Sequence, residues 1–141
     1  MEPNANQGPA GGVTAHLTIR DGGAADAIAF YNRAFGAEEI RRHMAEDGKR
    51  IMHAYLALNG GSLMLNDEFP EFVSAPATPP GSLVLHLQVA DADASWQRAL
   101  DAGAEVHFPL ADQFWGDRYG QVTDPFGFTW SIGAPLSAPV E

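Results

Sequence analysis

The feature that most constrains this chain is that it repeats itself. His16-Leu17-Thr18-Ile19-Arg20-Asp21 recurs as His86-Leu87-Gln88-Val89-Ala90-Asp91. A helical stripe follows each copy: Ala27, Tyr31, Ala34 and Phe35 in the first, Ala92, Trp96, Ala99 and Leu100 in the second. Both follow the i, i+4, i+7, i+8 spacing of a one-faced amphipathic helix. Each stripe closes on Gly-Ala-Glu, at Gly36-Ala37-Glu38 and Gly103-Ala104-Glu105, where glycine suits the left-handed residue that ends a helix. A Gly-x-Arg follows in each copy (Gly48-Lys49-Arg50 and Gly116-Asp117-Arg118). Two more strands come next, split by turns at Asn59-Gly60-Gly61 and Asp124-Pro125-Phe126-Gly127.

Each half therefore reads strand, helix, strand, strand, strand. The expected strands are 13–19, 38–44, 50–58 and 62–66, then 82–89, 104–108, 118–123 and 128–133, with helices over 24–36 and 91–102. The fold class is α+β: two tandem βαβββ modules forming curved mixed sheets around a central cleft, since one module leaves a sheet face that the other can cover. The modules are 13–66 and 82–133 within a single domain 13–133. A Pro-rich linker over 67–81 joins them, and flexible tails cover 1–12 and 134–141.

Alternation along the strands assigns their faces. Val13, Ala15, Leu17 and Ile19 should meet a helix, as should Leu83, Leu85, Leu87 and Val89, and Met52, Ala54, Leu56 and Leu58. That leaves His16, His53, Tyr55, His86 and Gln88 on the concave side, with His16 and His86 facing each other. A solvent-facing sheet surface more often carries Lys, Glu and Thr, so this set suggests a half-enclosed cavity.

Composition narrows the function classes. Asp and Glu number 18 against 8 Lys and Arg, a formal net charge of −10. That field repels nucleic acid and anionic membrane, and no basic cluster overrides it. With 0 Cys there is no disulfide, thiolate zinc site or cysteine nucleophile. No apolar run reaches the roughly 18–20 residues of a membrane span, and the first residues lack the pattern of a secretory signal. The expectation is a cytoplasmic protein of one domain that binds neither nucleic acid nor membrane.

These modules resemble the vicinal oxygen chelate superfamily of glyoxalase I, bleomycin-resistance proteins and extradiol dioxygenases, and within it the PhnB-like, glyoxalase-like branch. Besides the repeat, the resemblance rests on Ala27-Ile28-Ala29-Phe30-Tyr31 and on Phe114-Trp115-Gly116-Asp117-Arg118 ahead of Asp124-Pro125-Phe126-Gly127-Phe128-Thr129-Trp130. It implies a homodimer, with the 67–81 connection near the subunit contact. It also implies metal-ligand positions on the first, fourth, fifth and eighth strands. Here these fall on Thr14, Leu65, Val84 and Ser131, none of which is an imidazole or a carboxylate. The resemblance thus implies the fold while arguing against the family's usual metal site, and no cofactor is expected.

Besides an interaction or regulatory domain without a small-molecule pocket, two functional readings stay open. One is a metal-independent protein binding a small organic molecule in the cleft through His16, His53, Tyr55, His86, Gln88, Phe114, Trp115 and Arg118. The other is a divalent-metal-dependent lyase, isomerase or dioxygenase, with His16, His86 and a carboxylate forming a displaced site. Phe114, Trp115 and Arg118 stand where the chain enters the seventh strand and could clamp a planar or anionic ligand at the cleft mouth. Arg118 could equally pair with an acidic neighbour. Trp130 reads as core. Asn66, Asp67 and Glu68 read as solvated loop residues or a general acid–base, and His43 and His107 carry no assigned role. Whether the protein is an enzyme stays open at this level.

Overall fold

The computed structural model describes residues 8–73 and 77–136. Most of the two expected tails (1–7 and 137–141) and part of the connection (74–76) lie outside the described residues. The elements run β1 (Ala15–Ile19), α1 (Ala24–Phe35), β2 (Glu38–Met44), β3 (Ile51–Leu58) and β4 (Gly61–Asp67). They continue as β5 (Leu85–Gln88), α2 (Ala92–Ala102), β6 (Glu105–Asp112), β7 (Asp117–Thr123) and β8 (Thr129–Pro135). The α+β class and the tandem βαβββ pattern are as the repeat predicts.

The chain falls into two compact units. The first runs to Asn32 and resumes over Gly36–Thr78; the second takes Arg33–Phe35 and the chain from Pro79 on. Each holds one four-stranded mixed sheet, ordered β1-β4-β3-β2 in the first and β5-β8-β7-β6 in the second. In both, the first strand pairs parallel to the last, and the other pairings are antiparallel.

In the first unit, Leu17, Ile19, Ala54, Leu56, Leu58, Leu63 and Leu65 are buried on one face, and Ala27, Phe30 and Tyr31 of α1 are buried with them. In the second, the core holds Leu87, Ala92, Ala99, Val122, Trp130 and Ile132. Phe35, in the last turn of α1, lies 4.6 Å from the Trp130 ring. The expected core role of Trp130 is met, and its indole N–H donates to Asp124 at 2.9 Å. α2 sits close to its sheet because β7 presents Gly120: a Cβ there would stand 2.8 Å from the Trp96 ring and 2.7 Å from Leu110 Cα.

Four expectations are corrected. Val13 and Leu83 are exposed and precede β1 and β5 rather than joining the core, because both strands start two residues later. Met52 is exposed and Ile51 is buried in its place, because the β2–β3 register shifts between His43 and Met44. That bulge reverses the alternation for one residue. β6 extends to Asp112, and two register shifts around Phe108 absorb Pro109. Asp67 is not a solvated loop residue: it is 1% exposed and accepts the N–H of Ala24 at 2.9 Å and of Ile51 at 2.7 Å. It thereby does for α1 what Gly23, at the N-cap, has no side chain to do. Glu68, read alongside it, accepts the Ala77 N–H at 2.8 Å and ties the connection back on itself.

Both helices end as expected on left-handed glycines, Gly36 at φ 76° and Gly103 at φ 119°. No helix of the described residues is long and apolar enough to cross a membrane.

Candidate functional site

The face of each sheet turned away from the buried residues carries the polar and aromatic groups. In the second unit, register puts His86 beside Ser131 and Gln88 beside Gly133 on the parallel β5–β8 pair. Across β8, Tyr119 stands opposite Gly133 and Gln121 opposite Ser131. His86 and Tyr119 therefore reach toward each other over a residue with no side chain. Their rings stack at 5.9 Å with an interplanar angle of 20°. A Cβ on Gly133 would lie 3.0 Å from His86 Cε1 and 3.4 Å from Tyr119 Cδ2.

Both nitrogens of His86 are engaged by the chain itself. Nδ1 lies 2.7 Å from Ser131 Oγ, and Nε2 lies 2.8 Å from Gln88 Oε1. An amide oxygen only accepts, so Nε2 carries a proton and donates to Gln88. The Ser131 hydroxyl can donate to a neutral Nδ1 or accept from a protonated one, so either charge state of His86 keeps both bonds. The Tyr119 hydroxyl accepts from Gln121 Nε2 at 3.0 Å. Trp115 meets Tyr119 edge-on at 5.5 Å, and Phe108 lies 6.5 Å from it on the β6 side. Phe114 is almost wholly exposed and stands edge-on to Trp115 at 5.1 Å.

Arg118 does not share this face. It alternates with Tyr119 and falls on the side of Gly120 and Val122, toward α2. Its guanidinium there is held by Asp93 at 3.1 Å and Asp112 at 2.9 Å. Its repeat counterpart Arg50 is bound likewise, by Asp47 and Glu71, with its guanidinium carbon 4.3 Å above the Phe69 ring. The ion-pair reading of the Gly-x-Arg echo is the one the structure supports.

The first unit carries the equivalent face in different chemistry. His16 pairs with Met64, and Tyr55 stands opposite Met64 on the other side. Tyr55 is buried, and its hydroxyl bonds Ser62 Oγ at 3.2 Å. Thr18 donates to Asn66 at 3.0 Å. His16 meets His53 edge-on at 6.2 Å, the counterpart of the His86–Tyr119 pair. His53 stands opposite His43, their rings 6.3 Å apart, and Arg41 Nε donates to His43 Nε2 at 2.8 Å. Burial first, then the positive charge of His16, His43 and Arg41, hold the His53 imidazole below its ordinary range.

Register also corrects the count of metal-ligand positions. Leu65 is fully buried beside Leu17, on the helix side. The residue matching Ser131 is Met64, because the turn glycine equivalent to Gly127 is Gly60: both have positive φ, 79° and 95°. Residues 14, 64, 84 and 131 are then Thr, Met, Val and Ser, a set without imidazole or carboxylate. Among the described residues no group of three His, Asp or Glu is placed to hold a metal ion. The residues present do not fit the usual divalent metal.

The profile of the glyoxalase/bleomycin resistance protein/dioxygenase superfamily matches residues 14–132. The chain belongs to this superfamily. The superfamily's vicinal oxygen chelate architecture agrees with solved structures. TioX from Micromonospora sp. ML1 superposes with a TM-score of 0.67 at 27% identity, covering 92% of this chain and 100% of that one. A PhnB protein from Bacillus cereus reaches 0.71 at 20% identity, over 88% and 99% of the two chains, a likeness of fold. In sequence, the uncharacterized protein Mb0911c of Mycobacterium bovis is 48% identical over 129 residues, 88% of this chain and 83% of its own.

Sequence reasoning found His16, His53, His86 and Gln88 on the open faces. It missed Tyr119, Gln121, Phe108 and Gly133, and it assigned no role to His43. Strand register, not sequence spacing, puts Tyr119 and Gln121 in the places of His53 and Tyr55.

Proposed function

We propose that the protein binds a small organic molecule with a flat, apolar body, without a metal ion. The observation that carries this reading is His86. Both its nitrogens are engaged by Ser131 and Gln88, and its ring is laid against Tyr119. Such an imidazole presents a fixed, flat face to a ligand rather than a free lone pair to a metal. Phe108, Trp115 and Phe114 extend the aromatic surface, and Gln121 and Gln88 supply polar atoms for orientation. The first unit has its own open face, with His16, His53 and Tyr55. Arg118 is left out, because Asp93 and Asp112 hold it on the helix side.

The protein acts as a homodimer in this reading, as the family resemblance implies. The experiment that tests the binding function is a thermal-shift screen of planar heteroaromatic compounds, run with and without EDTA. Stabilisation by a subset of compounds, unchanged by EDTA, supports the reading. Stabilisation that appears only with a divalent metal favours the metal-dependent enzyme instead.

A further inference from the structure

The first unit gathers cationic groups in a way its composition makes unusual. The chain has 8 Lys and Arg and 5 His against 18 Asp and Glu. Three of those five imidazoles nevertheless stand in one row across a single sheet face. His16 comes from β1, His53 from β3 and His43 from β2, with ring separations of 6.2 and 6.3 Å. Arg41, opposite Tyr55 on β2, reaches His43 with its Nε. That bond needs His43 Nε2 as an acceptor, so neutral His43 carries its proton on Nδ1. β4 runs beneath the row and contributes the uncharged Met64 and Asn66.

The carboxylates of these strands do not answer the row. Glu39 is bound to Arg42, and Asp67 is buried against the N–H groups of Ala24 and Ile51. Glu38 stands opposite Ala57, beyond Tyr55 and away from the row. The charges acting on His53 are all of one sign, those of His16, His43 and Arg41. A cluster of this kind is repelled by its own protonation unless an anion joins it. His16, His43 and Arg41 are exposed and His53 half-buried, so an anion can reach them.

We propose that His16, His43, His53 and Arg41 form an oxyanion-binding site, which takes the anionic group of a small-molecule ligand. This rests on the reading that the open faces bind a ligand, and it names the chemistry of one of them. Binding is coupled to protonation: the anion favours imidazolium, so affinity rises as pH falls through the histidine range.

Sulfate tests this cleanly, because its charge does not change over that range. The ring resonances of the five histidines are followed by NMR during sulfate titration of the full chain, against sodium chloride at matched ionic strength. The expected result is saturable movement of the His16, His43 and His53 signals, with His86 and His107 unmoved. Affinity should be about tenfold tighter near pH 5.5 than near pH 7.5, and weakened in both Arg41→Gln and His53→Asn. Shifts identical in sulfate and chloride would overturn the proposal, as would binding independent of pH or saturation by zinc but not by sulfate. Should either variant fail to fold, the pH dependence in the unaltered protein still decides. Saturable sulfate binding without any organic ligand in the thermal-shift screen would sustain this site and sink the broader reading.

Discussion

Gly133 shows how much of the second unit's open face depends on one missing side chain. The His86 and Tyr119 rings meet over it. Gly133→Ala is expected to tilt the His86 ring and to cost about 1 kcal/mol, since the imidazole can give way toward solvent. Gly120→Ala, on the opposite face, has no such outlet. Its Cβ would meet the Leu110 backbone at 2.7 Å and Trp96 at 2.8 Å, and about 3 kcal/mol or more is expected. Chemical denaturation of the two variants checks this; equal losses would contradict the assignment of faces. His53 gives a second test at this scale. Its folded pKa lies below the ordinary histidine value. The unfolded chain therefore binds the extra proton first as pH falls. Stability is full above the ordinary value, declines as pH drops through it, and levels off below the folded pKa. His53→Asn is expected to flatten that segment of the stability–pH curve, and an unchanged slope would show that His53 does not cause it. Two residue-level facts were not legible in the sequence. Whether Leu65 or Met64 matches Ser131 depends on which turn glycine matches Gly127, and only backbone φ separates Gly60 from Gly61. Tyr119 was unmarked because its partner is a histidine 33 positions away that only strand pairing brings near.

At the scale of elements, the repeat and the 3.6- and 2-residue periods set the order and nearly all the bounds, because each hydrophobic face must be buried. They failed where the chain departs from its own period: at the bulge by Met52, at Pro109 in β6, and before β1 and β5. The two helices also start differently despite their parentage. α2 is capped locally: Asp91 accepts the Ala94 N–H at 3.0 Å in the exposed first turn. α1 is capped by Asp67, 43 positions away and buried. Asp91→Ala is expected to cost about 1 kcal/mol. Asp67→Ala is expected to cost about 3 kcal/mol, because two buried N–H groups lose a charged acceptor together. Thermal unfolding of the two variants compares them directly. Near-equal shifts in Tm would show that Asp67 is not the joint between α1, β3 and β4.

At the scale of the whole molecule, the family was legible because the repeat, the Gly-Ala-Glu helix ends and the Asp124 turn occur together. The Asp124 turn shows what such a motif does physically. Its carboxylate accepts the N–H groups of Phe126 and Phe128 and the indole of Trp130, so the turn and the core beneath it are one unit. The ligand was not legible, because the groups that would contact it come from strands distant in sequence. A homodimer is the assembly proposed from the family resemblance. Light scattering is expected to give twice the 15.1 kDa chain mass at micromolar concentration, and a monomer mass would contradict the dimer. The central claim is that ligand binding uses a ring fixed by Ser131, Gln88 and Tyr119 rather than a metal. Its most direct test is calorimetric titration of the best compound from the heteroaromatic screen into unaltered protein and His86→Ala, each with and without EDTA. The account predicts an affinity indifferent to EDTA and weaker by about 1–3 kcal/mol in His86→Ala, with the variant still folded. Binding that disappears with EDTA and returns with stoichiometric zinc or manganese would contradict it.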